Sequence, residues 1–268
     1  MPYRESVETI SGCRIRIMRG GAGEPLLFLH GARGASAWLP FFETMSQHFD
    51  LIVPEHPAFG GSDTPDWLDN VGDLAYFYLD LIDALKLPRL NLAGVSLGGW
   101  IAAEIAVRNQ SMLKTLTLIC AAGIHVKGVA KGDIFMWSRE DFIRNIFHDP
   151  KVAEAMLAQT PSDAELMIEM KNRLATAKLG WQPRLYNPDL RKWLHRITVP
   201  TLLVWGDDDK VFPLPYGEAY NALIPGSRLE VLKDAGHTLQ IEKSDELAAL
   251  MRTFLDDTES GRPREGGE

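Results

Sequence analysis

Short apolar runs alternate with polar and glycine-rich segments in the first half of the chain and again near its C-terminus. The runs with the length and composition of strands lie at residues 7–10, 15–18, 26–29, 51–54, 90–93, 115–120, 201–205 and 229–232. The apolar run at 100–107 has instead the character of a packed helix that directly follows a strand. This alternation predicts an α/β fold with a mostly parallel central sheet flanked by helices.

The alternation stops between residues 124 and 196, where the sequence is helix-like and rich in large apolar side chains. A stretch of that length without structure is uncommon in a compact domain, so we predict an inserted helical cap over the strand ends. The predicted organisation is a core domain of residues 1–123 and 197–257 and a helical cap of residues 124–196. Residues 258–268, which contain no apolar side chains, are predicted to form a flexible tail.

The composition argues against a nucleic-acid-binding or membrane protein. The 268 residues are 46% apolar and 24% charged with a net charge of −8, and an acidic surface repels a phosphate backbone. No apolar run could span a membrane and no apolar signal core begins the chain, so we expect a cytoplasmic protein. Cys13 and Cys120 are predicted to be buried free thiols, whereas the choice between monomer and homodimer stays open.

The clearest chemical signal is the Gly-x-Ser-x-Gly pentapeptide at residues 94–98, which lies between a strand-like and a helix-like run. A strand that turns abruptly into a helix holds its corner residue in a strained conformation, and glycines allow the two elements to approach closely. We therefore predict that Ser96 is a nucleophile whose hydroxyl projects from the end of the sheet. The amide of Leu97, at the N-terminus of the helix, is a candidate to stabilise an oxyanion.

A nucleophilic serine needs an imidazole to accept its proton and a carboxylate to orient that imidazole. The strand-like run at 201–205 leads into Asp207, Asp208 and Asp209, any of which could supply the carboxylate. The run at 229–232 leads into a loop in which His237 follows a glycine. The order Ser, Asp, His is the one expected when all three lie on loops at the carboxyl edge of one parallel sheet.

Together these features resemble the α/β-hydrolase fold superfamily over nearly the whole chain. The resemblance rests on residues 30–34, residues 57–63, the serine pentapeptide, and the acid and histidine loops, in that order. It implies the α/β-hydrolase fold with Ser96, Asp209 and His237 as catalytic triad. The third aspartate is selected because the acid loop of the family has the pattern Gly-x-x-Asp-x-x-x-Pro.

The resemblance also implies the position of the oxyanion hole. Relatives use the amides of the residue after the His-Gly pair and of the residue after the nucleophile, here Ala32 and Leu97. His30 is expected to shape this loop rather than to transfer protons. Ala58 stands where relatives usually carry glycine, and we expect the effect of this departure to be small unless the backbone at this position has positive φ.

The other histidines are predicted to be structural or exposed, and they are His48, His56, His125, His148 and His195. They do not pair at the spacing of metal ligands, and the run of three aspartates lacks the alternating ligands of a calcium loop. We therefore expect no metal site and no cofactor.

The leading hypothesis is a carboxylesterase-like serine hydrolase that cleaves a small, fairly apolar ester or related acyl compound through an acyl-enzyme. Side chains of the predicted cap are expected to line the pocket, since ligand pockets are mainly apolar. The candidate substrate contacts are Phe135, Met136 and Trp137, together with His30 and Arg173.

Three alternatives remain open. The chain also resembles meta-cleavage product hydrolases, which hydrolyse a carbon–carbon bond with the same triad and a cap arginine; Arg173 could hold a substrate carboxylate in this way. Many of those relatives carry tryptophan directly after the catalytic histidine, where this chain has Thr238. A cofactor-free perhydrolase would use the same triad. A protein that only binds a small ligand on a hydrolase scaffold would show no turnover of a reactive ester.

Overall fold

The strands of the protein form one twisted, mostly parallel sheet. A computed structural model describes residues 3–87 and 89–259. Within these ranges the strands are β1 (Arg4–Ile10), β2 (Cys13–Gly20), β3 (Pro25–Leu29), β4 (Asp50–Pro54), β5 (Leu90–Val95), β6 (Leu113–Ile119), β7 (Thr201–Gly206) and β8 (Arg228–Leu232). Their order in the sheet is β1-β2-β4-β3-β5-β6-β7-β8. The pairs β1/β2 and β2/β4 are antiparallel and all the others are parallel, which confirms the predicted fold class.

Helices cover both faces of this sheet. They are α1 (Pro40–Ser46), α2 (Val71–Ala84), α3 (Leu97–Arg108), α4 (Arg139–Ile146), α5 (Pro150–Leu157), α6 (Asp163–Gly180), α7 (Leu190–Trp193), α8 (Pro215–Leu223), α9 (Leu239–Glu242) and α10 (Ser244–Glu259), with a 3-10 helix at Leu194–Arg196. Every residue of β5 and β7 is buried, as expected for parallel strands with helices on both sides. None of the helices in the described part of the chain is long and apolar enough to cross a membrane.

Residues 120–200, which we call the helical segment, connect β6 to β7 and contain α4 to α7. Helix α6 begins with a capping box between Ser162 and Glu165, a strong N-terminal signal. Its buried residues Asn172, Ala175, Thr176 and Leu179 follow a helical spacing and form one face. This face packs on the core domain and brings Asn172 to the loops that precede α1 and α2.

The sequence pattern placed the start of helical structure too early. Residues 121–138 contain turns and one isolated bridge, between Gly123 and Tyr186, but no helix. Three glycines, at positions 123, 128 and 132, interrupt this stretch, and the first two have positive φ. Because glycine is unfavourable inside helices, regular helix starts only at Arg139. At the other end, α10 continues to Glu259, and residues 260–268 of the predicted tail lie outside the described residues.

Ala58 lies in the loop after β4 with φ of 71°. The left-handed region costs a non-glycine residue about 1–2 kcal/mol. Positive φ is the condition under which we expected the alanine to matter, and Ala58 therefore carries backbone strain.

Candidate active site

The turn between β5 and α3 holds Ser96 in a strained conformation. Its φ is 55° and its ψ is −115°, outside the regions that non-glycine residues ordinarily occupy. A Cβ at Gly94 would lie 2.3 Å from the carbonyl oxygen of Gly98, and one at Gly98 would lie 2.0 Å from that of Leu29. Only glycines permit this close approach of strand, turn and helix, and the packing in turn fixes the backbone of Ser96.

Asp209 and His237 are joined by a hydrogen bond between two loops at the carboxyl edge of the sheet. His237 Nδ1 lies 2.8 Å from Asp209 Oδ2. The other carboxylate oxygen of Asp209 accepts the backbone N–H groups of Val211 and Phe212 at 2.8 and 2.9 Å. Asp209 as a whole is only 3% exposed, so these contacts fix the orientation of its side chain and leave one oxygen for the imidazole.

The two neighbouring aspartates have other partners. Asp207 faces Lys233 at 3.6 Å, and Asp208 lies 3.0 Å from His148 Nδ1 and 3.4 Å from Lys210 Nζ. Both carboxylates belong to surface ion pairs of small expected energy.

The loop that carries His237 packs against the end of α4. The backbone N–H of His237 donates to the carbonyl of Ile146 at 2.9 Å. A Cβ at Gly236 would lie 2.7 Å from the same carbonyl oxygen, so the glycine before the histidine is required by this contact. The helical segment thereby helps to set the position of the imidazole.

The loop after β3 (residues 31–36), which we call the oxyanion loop after its predicted role, lies against Ser96. A Cβ at Gly31 would be 3.3 Å from Ser96 Cβ, and the N–H of Gly34 closes a turn on the Gly31 carbonyl at 3.0 Å. Ala32 is part of this turn and lines the same cavity as Ser96. Leu97 is the first residue of α3, where backbone N–H groups have no partner within the helix.

Asn172 of α6 ties the oxyanion loop to a second loop. Its side-chain amide donates to the carbonyl of Arg33 at 2.8 Å, and its oxygen accepts the N–H of Gly60 at 2.8 Å. The neighbouring Lys171 donates to the carbonyls of Gly60 and Ser62 at 2.8 and 2.6 Å. Neither residue could be recognised from the sequence, because a polar residue among the mixed polar and apolar residues of this helix carries no signal of burial.

His30 and His56 form a buried, stacked pair beneath the oxyanion loop, with ring centroids 3.6 Å apart. The N–H of His56 donates to His30 Nε2 at 2.9 Å, so the ring of His30 carries its proton on Nδ1, which donates to the Gly31 carbonyl at 2.7 Å. His56 Nε2 in turn donates to the carbonyl of His30 at 2.8 Å, and its Nδ1 contacts the hydroxyl of Tyr78. Burial lowers the pKa of His30 to about 4 and that of His56 well below its usual value.

Two adjoining cavities lie above the carboxyl edge of the sheet. A cavity of about 380 Å³ is lined by Ser96, His237, His30 and Ala32, with apolar walls that include Phe28 and Phe42. A second cavity, of about 290 Å³, lies between the oxyanion loop and helices α4 to α6. Arg33, Ile134, Phe142 and Met156 line both, so the two cavities share a boundary.

The predicted substrate contacts fall into two groups. Phe135 and Arg173 line the second cavity. Met136 is 70% exposed and lines neither cavity. Trp137 also lines neither cavity. Its ring packs against Gly132, and a Cβ added to that glycine would lie only 2.2 Å from the ring. The structure therefore gives Met136 and Trp137 no contact with the space beside Ser96, contrary to our prediction.

Cys120, at the end of β6, lies behind the Asp209–His237 pair, and the potential ligand atoms of the three residues lie within 4.8 Å of one another. Both Cys120 and Cys13 are buried free thiols, as predicted. Burial raises the pKa of the Cys120 thiol well above its usual value, and the charge of Asp209 acts in the same direction. A neutral thiol is a poor metal ligand, so this cluster fits an acid–imidazole pair better than a metal centre.

Comparison with known proteins adds an independent finding. Residues 24–244 match the family model described as alpha/beta hydrolase fold. The chain is 27% identical over 253 residues to the 2-hydroxy-6-oxo-2,4-heptadienoate hydrolase of Pseudomonas putida, covering 88% of this chain and 90% of that protein. It is also 27% identical over 281 residues to Lipase 1 of Psychrobacter immobilis, covering 96% and 86% of the two chains.

A solved structure gives the same fold. The meta-cleavage product hydrolase of Pseudomonas fluorescens IP01 superposes with a TM-score of 0.79 at 18% identity, over 94% of this chain and 97% of the other. The match of the family model spans most of the chain, including the serine turn, the acid loop and the histidine loop. The chain belongs to the alpha/beta hydrolase fold family, and its relatives indicate that it is a hydrolase.

Proposed function

We propose that the protein is a serine hydrolase that cleaves a carboxylic ester or related acyl compound through an acyl-enzyme on Ser96. The observation that carries this proposal is that the strained serine lines one cavity with a histidine whose Nδ1 is held by a buried aspartate. This arrangement leaves the other ring nitrogen of His237 free for general-base work. The likeness to a lipase supports an ester substrate.

The proposed reaction follows from these positions. His237 Nε2 takes the proton of Ser96 Oγ as the oxygen attacks the acyl carbon, and Asp209 stabilises the imidazolium. The amides of Ala32 and Leu97 hold the negative charge that develops on the carbonyl oxygen. His237 then gives its proton to the leaving group, and water, activated by the same histidine, releases the acyl group from Ser96.

In this proposal the helical segment acts as a cap. Helices α4 and α5 contribute to the walls of both cavities and α6 to the wall of the second, so the segment limits the access of water and shapes the chamber for a small, fairly apolar acyl substrate. No bound cofactor takes part in the proposed chemistry.

The test is a burst-and-turnover assay with a short-chain aryl ester, with the intact protein followed by mass spectrometry. We expect the wild type to show a burst and an acyl adduct, and Ser96→Ala to show neither. Ser36→Ala, which alters another serine that lines the same cavity, is the matched control and should still form the adduct. Absence of the adduct from the wild type, or an adduct that survives in Ser96→Ala, would contradict the proposal.

A second candidate is hydrolysis of a carbon–carbon bond in an anionic vinylogous diketone. The likeness to a heptadienoate hydrolase favours it, as does the presence of Arg173 in the wall of the second cavity. Serine-dependent loss of the absorbance of a 2-hydroxy-6-oxo-dienoate, at a kcat/KM well above that for aryl esters, would favour this reaction over ester hydrolysis.

A further inference from the structure

Arg33 is a cation at the boundary of the two cavities. It follows Ala32 in the oxyanion loop and lines both cavities. Its Nη1 contacts the sulfur of Met156 at 3.3 Å. Among the residues that the structure describes, no carboxylate forms a salt bridge with it within 4.0 Å.

The other charged groups of the second cavity are already engaged. Glu165 accepts hydrogen bonds from the backbone N–H and hydroxyl of Ser162 at 2.8 and 2.7 Å. Glu169 pairs with Arg139 at 3.5 Å, and Arg173 donates to the carbonyl of Trp137 at 3.4 Å. With three arginines and two glutamates in its wall, the cavity has an excess of positive charge.

Arg33 is an exposed residue whose charge faces the space between the two cavities. The protein atoms around it lower the pKa of its guanidinium below the ordinary value, and the charges of Glu169 and Arg139 act on it in opposite directions. The group remains protonated at neutral pH, because an arginine pKa lies far above 7. A guanidinium that has no carboxylate partner can bind a carboxylate through two parallel, charge-assisted hydrogen bonds.

We propose that Arg33 binds a carboxylate carried by the substrate, so that the enzyme acts on acyl compounds with one apolar limb and one anionic limb. The proposal rests on the proposed function and adds the substrate class. When the reacting carbonyl lies between Ser96 and the amide of Ala32, the limb that passes Arg33 enters the second cavity. The other limb lies against the apolar wall of the first cavity, which includes Phe28, Leu39 and Phe42.

Arg33 differs from Arg173 in its relation to the reacting group. Arg173 lines only the second cavity, whereas Arg33 is the residue next to the proposed oxyanion donor and lines both. A carboxylate on Arg33 would therefore fix the substrate close to the bond that breaks. Arg33 is in this view a specificity-determining residue that takes no part in the proton transfers.

The test compares anionic and neutral esters of matched length. One series carries the carboxylate in the acyl part, as monophenyl esters of succinic to pimelic acid, and the other carries it in the leaving group, as 4-acyloxybenzoates. Each is compared with its methyl-capped, neutral counterpart. We expect wild-type kcat/KM to favour the anionic member of at least one series tenfold or more.

Variants then assign the preference to a residue. Arg33→Gln should lower kcat/KM for the preferred anionic ester about ten- to hundredfold, the range of one charge-assisted hydrogen-bond pair. It should change kcat/KM for the neutral ester less than threefold, which also shows that the variant is folded. Arg191→Gln removes an exposed charge remote from both cavities and should leave the preference intact.

Two results would overturn the proposal while the proposed function stands: Ser96-dependent turnover without a preference for either anionic series, or a preference that Arg173→Gln abolishes and Arg33→Gln does not. If no ester is turned over, the proposed function fails, and binding to Ser96→Ala decides the role of Arg33 separately. Calorimetry should then show tighter binding of monomethyl than of dimethyl adipate, and loss of this difference in Ser96→Ala/Arg33→Gln. Equal binding of the two esters would overturn the role of Arg33.

Discussion

At the scale of single residues, the two oxygens of Asp209 have separate roles. One is held by two backbone N–H groups of its own loop, and the other contacts His237. The first pair of bonds orients the carboxylate before any substrate arrives, so the imidazole meets an acceptor in a fixed position. An asparagine at this position would keep the shape of the side chain and change only the group that faces His237 Nδ1.

We therefore expect Asp209→Asn to lower kcat for an aryl ester by up to about 10⁴-fold, because an amide favours the wrong tautomer of the histidine. Asp208→Asn is the matched control, since this carboxylate belongs to a surface pair, and it should change kcat less than threefold. Both variants are measured in the same assay after thermal unfolding has shown that they are folded. Full activity of Asp209→Asn with an inactive Asp208→Asn would reassign the acid.

The three neighbouring aspartates show how much of the candidate site could be predicted from the residues alone. The sequence located the acid loop, but its three carboxylates were equivalent until the resemblance to a family pattern selected Asp209. What distinguishes them physically is burial and the direction of the side chain, which depend on the contacts of the loop with β8 and the histidine loop. Neither contact is visible in the local sequence.

At the scale of elements, α6 is both a wall of the second cavity and a support for the oxyanion loop. Asn172 is 3% exposed and uses both ends of its amide group. Because its partners are the backbones of two different loops, the helix fixes their separation. The position of the Ala32 amide therefore depends on a residue far away in the sequence.

We expect Asn172→Ala to lower kcat for an aryl ester about tenfold and to reduce the free energy of unfolding by about 2 kcal/mol, since it leaves one buried and one half-buried backbone group unpaired. The fall in kcat should exceed any rise in KM, because the oxyanion amide acts in the transition state. Asn145→Ala, on the exposed side of α4, serves as control. A variant that loses stability but keeps kcat would show that Asn172 supports the fold alone.

The strands were easier to predict than the helical segment, for a physical reason. A central parallel strand is buried on both faces and appears as an uninterrupted apolar run, as in β5 and β7. The segment before α4 instead owes its path to glycines and to tertiary contacts. The sequence pattern therefore could not predict which apolar side chains of this segment face the cavities, such as Phe135, and which face solvent, such as Met136.

At the scale of the whole molecule, the buried histidine pair links stability to pH. The pKa of His30 is about 4 in the folded protein and about 6.5 in an unfolded chain. Between these values the unfolded chain binds a proton that the folded protein does not, so the free energy of unfolding falls as the pH is lowered through this window. His56 acts in the same direction, whereas Glu55, whose pKa burial raises, acts in the opposite one.

We expect His30 to account for about 2 kcal/mol of the stability lost between pH 7 and pH 4.5. Urea denaturation of the wild type and of His30→Asn at several pH values measures this difference: the variant is less stable at pH 7 but depends less on pH. His195→Asn, which alters an exposed histidine, should keep the dependence of the wild type. Parallel curves for the wild type and His30→Asn would show that His30 is not the titrating group.

The helical segment contacts both the oxyanion loop and the loop of His237, which bears on how it could be exchanged with that of a relative. Asn172 donates a hydrogen bond to the backbone of Arg33, and the carbonyl of Ile146 accepts one from the backbone N–H of His237. Residues 120–200 therefore contact the loops on both sides of the site. A chimaera that borrows this segment from a relative to acquire a new specificity would also exchange the supports of its own oxyanion and histidine loops. We therefore expect such a chimaera to be active only if it keeps the hydrogen bonds of Asn172 and the close packing at Gly236. A change of substrate range and a change of catalytic activity would then come together.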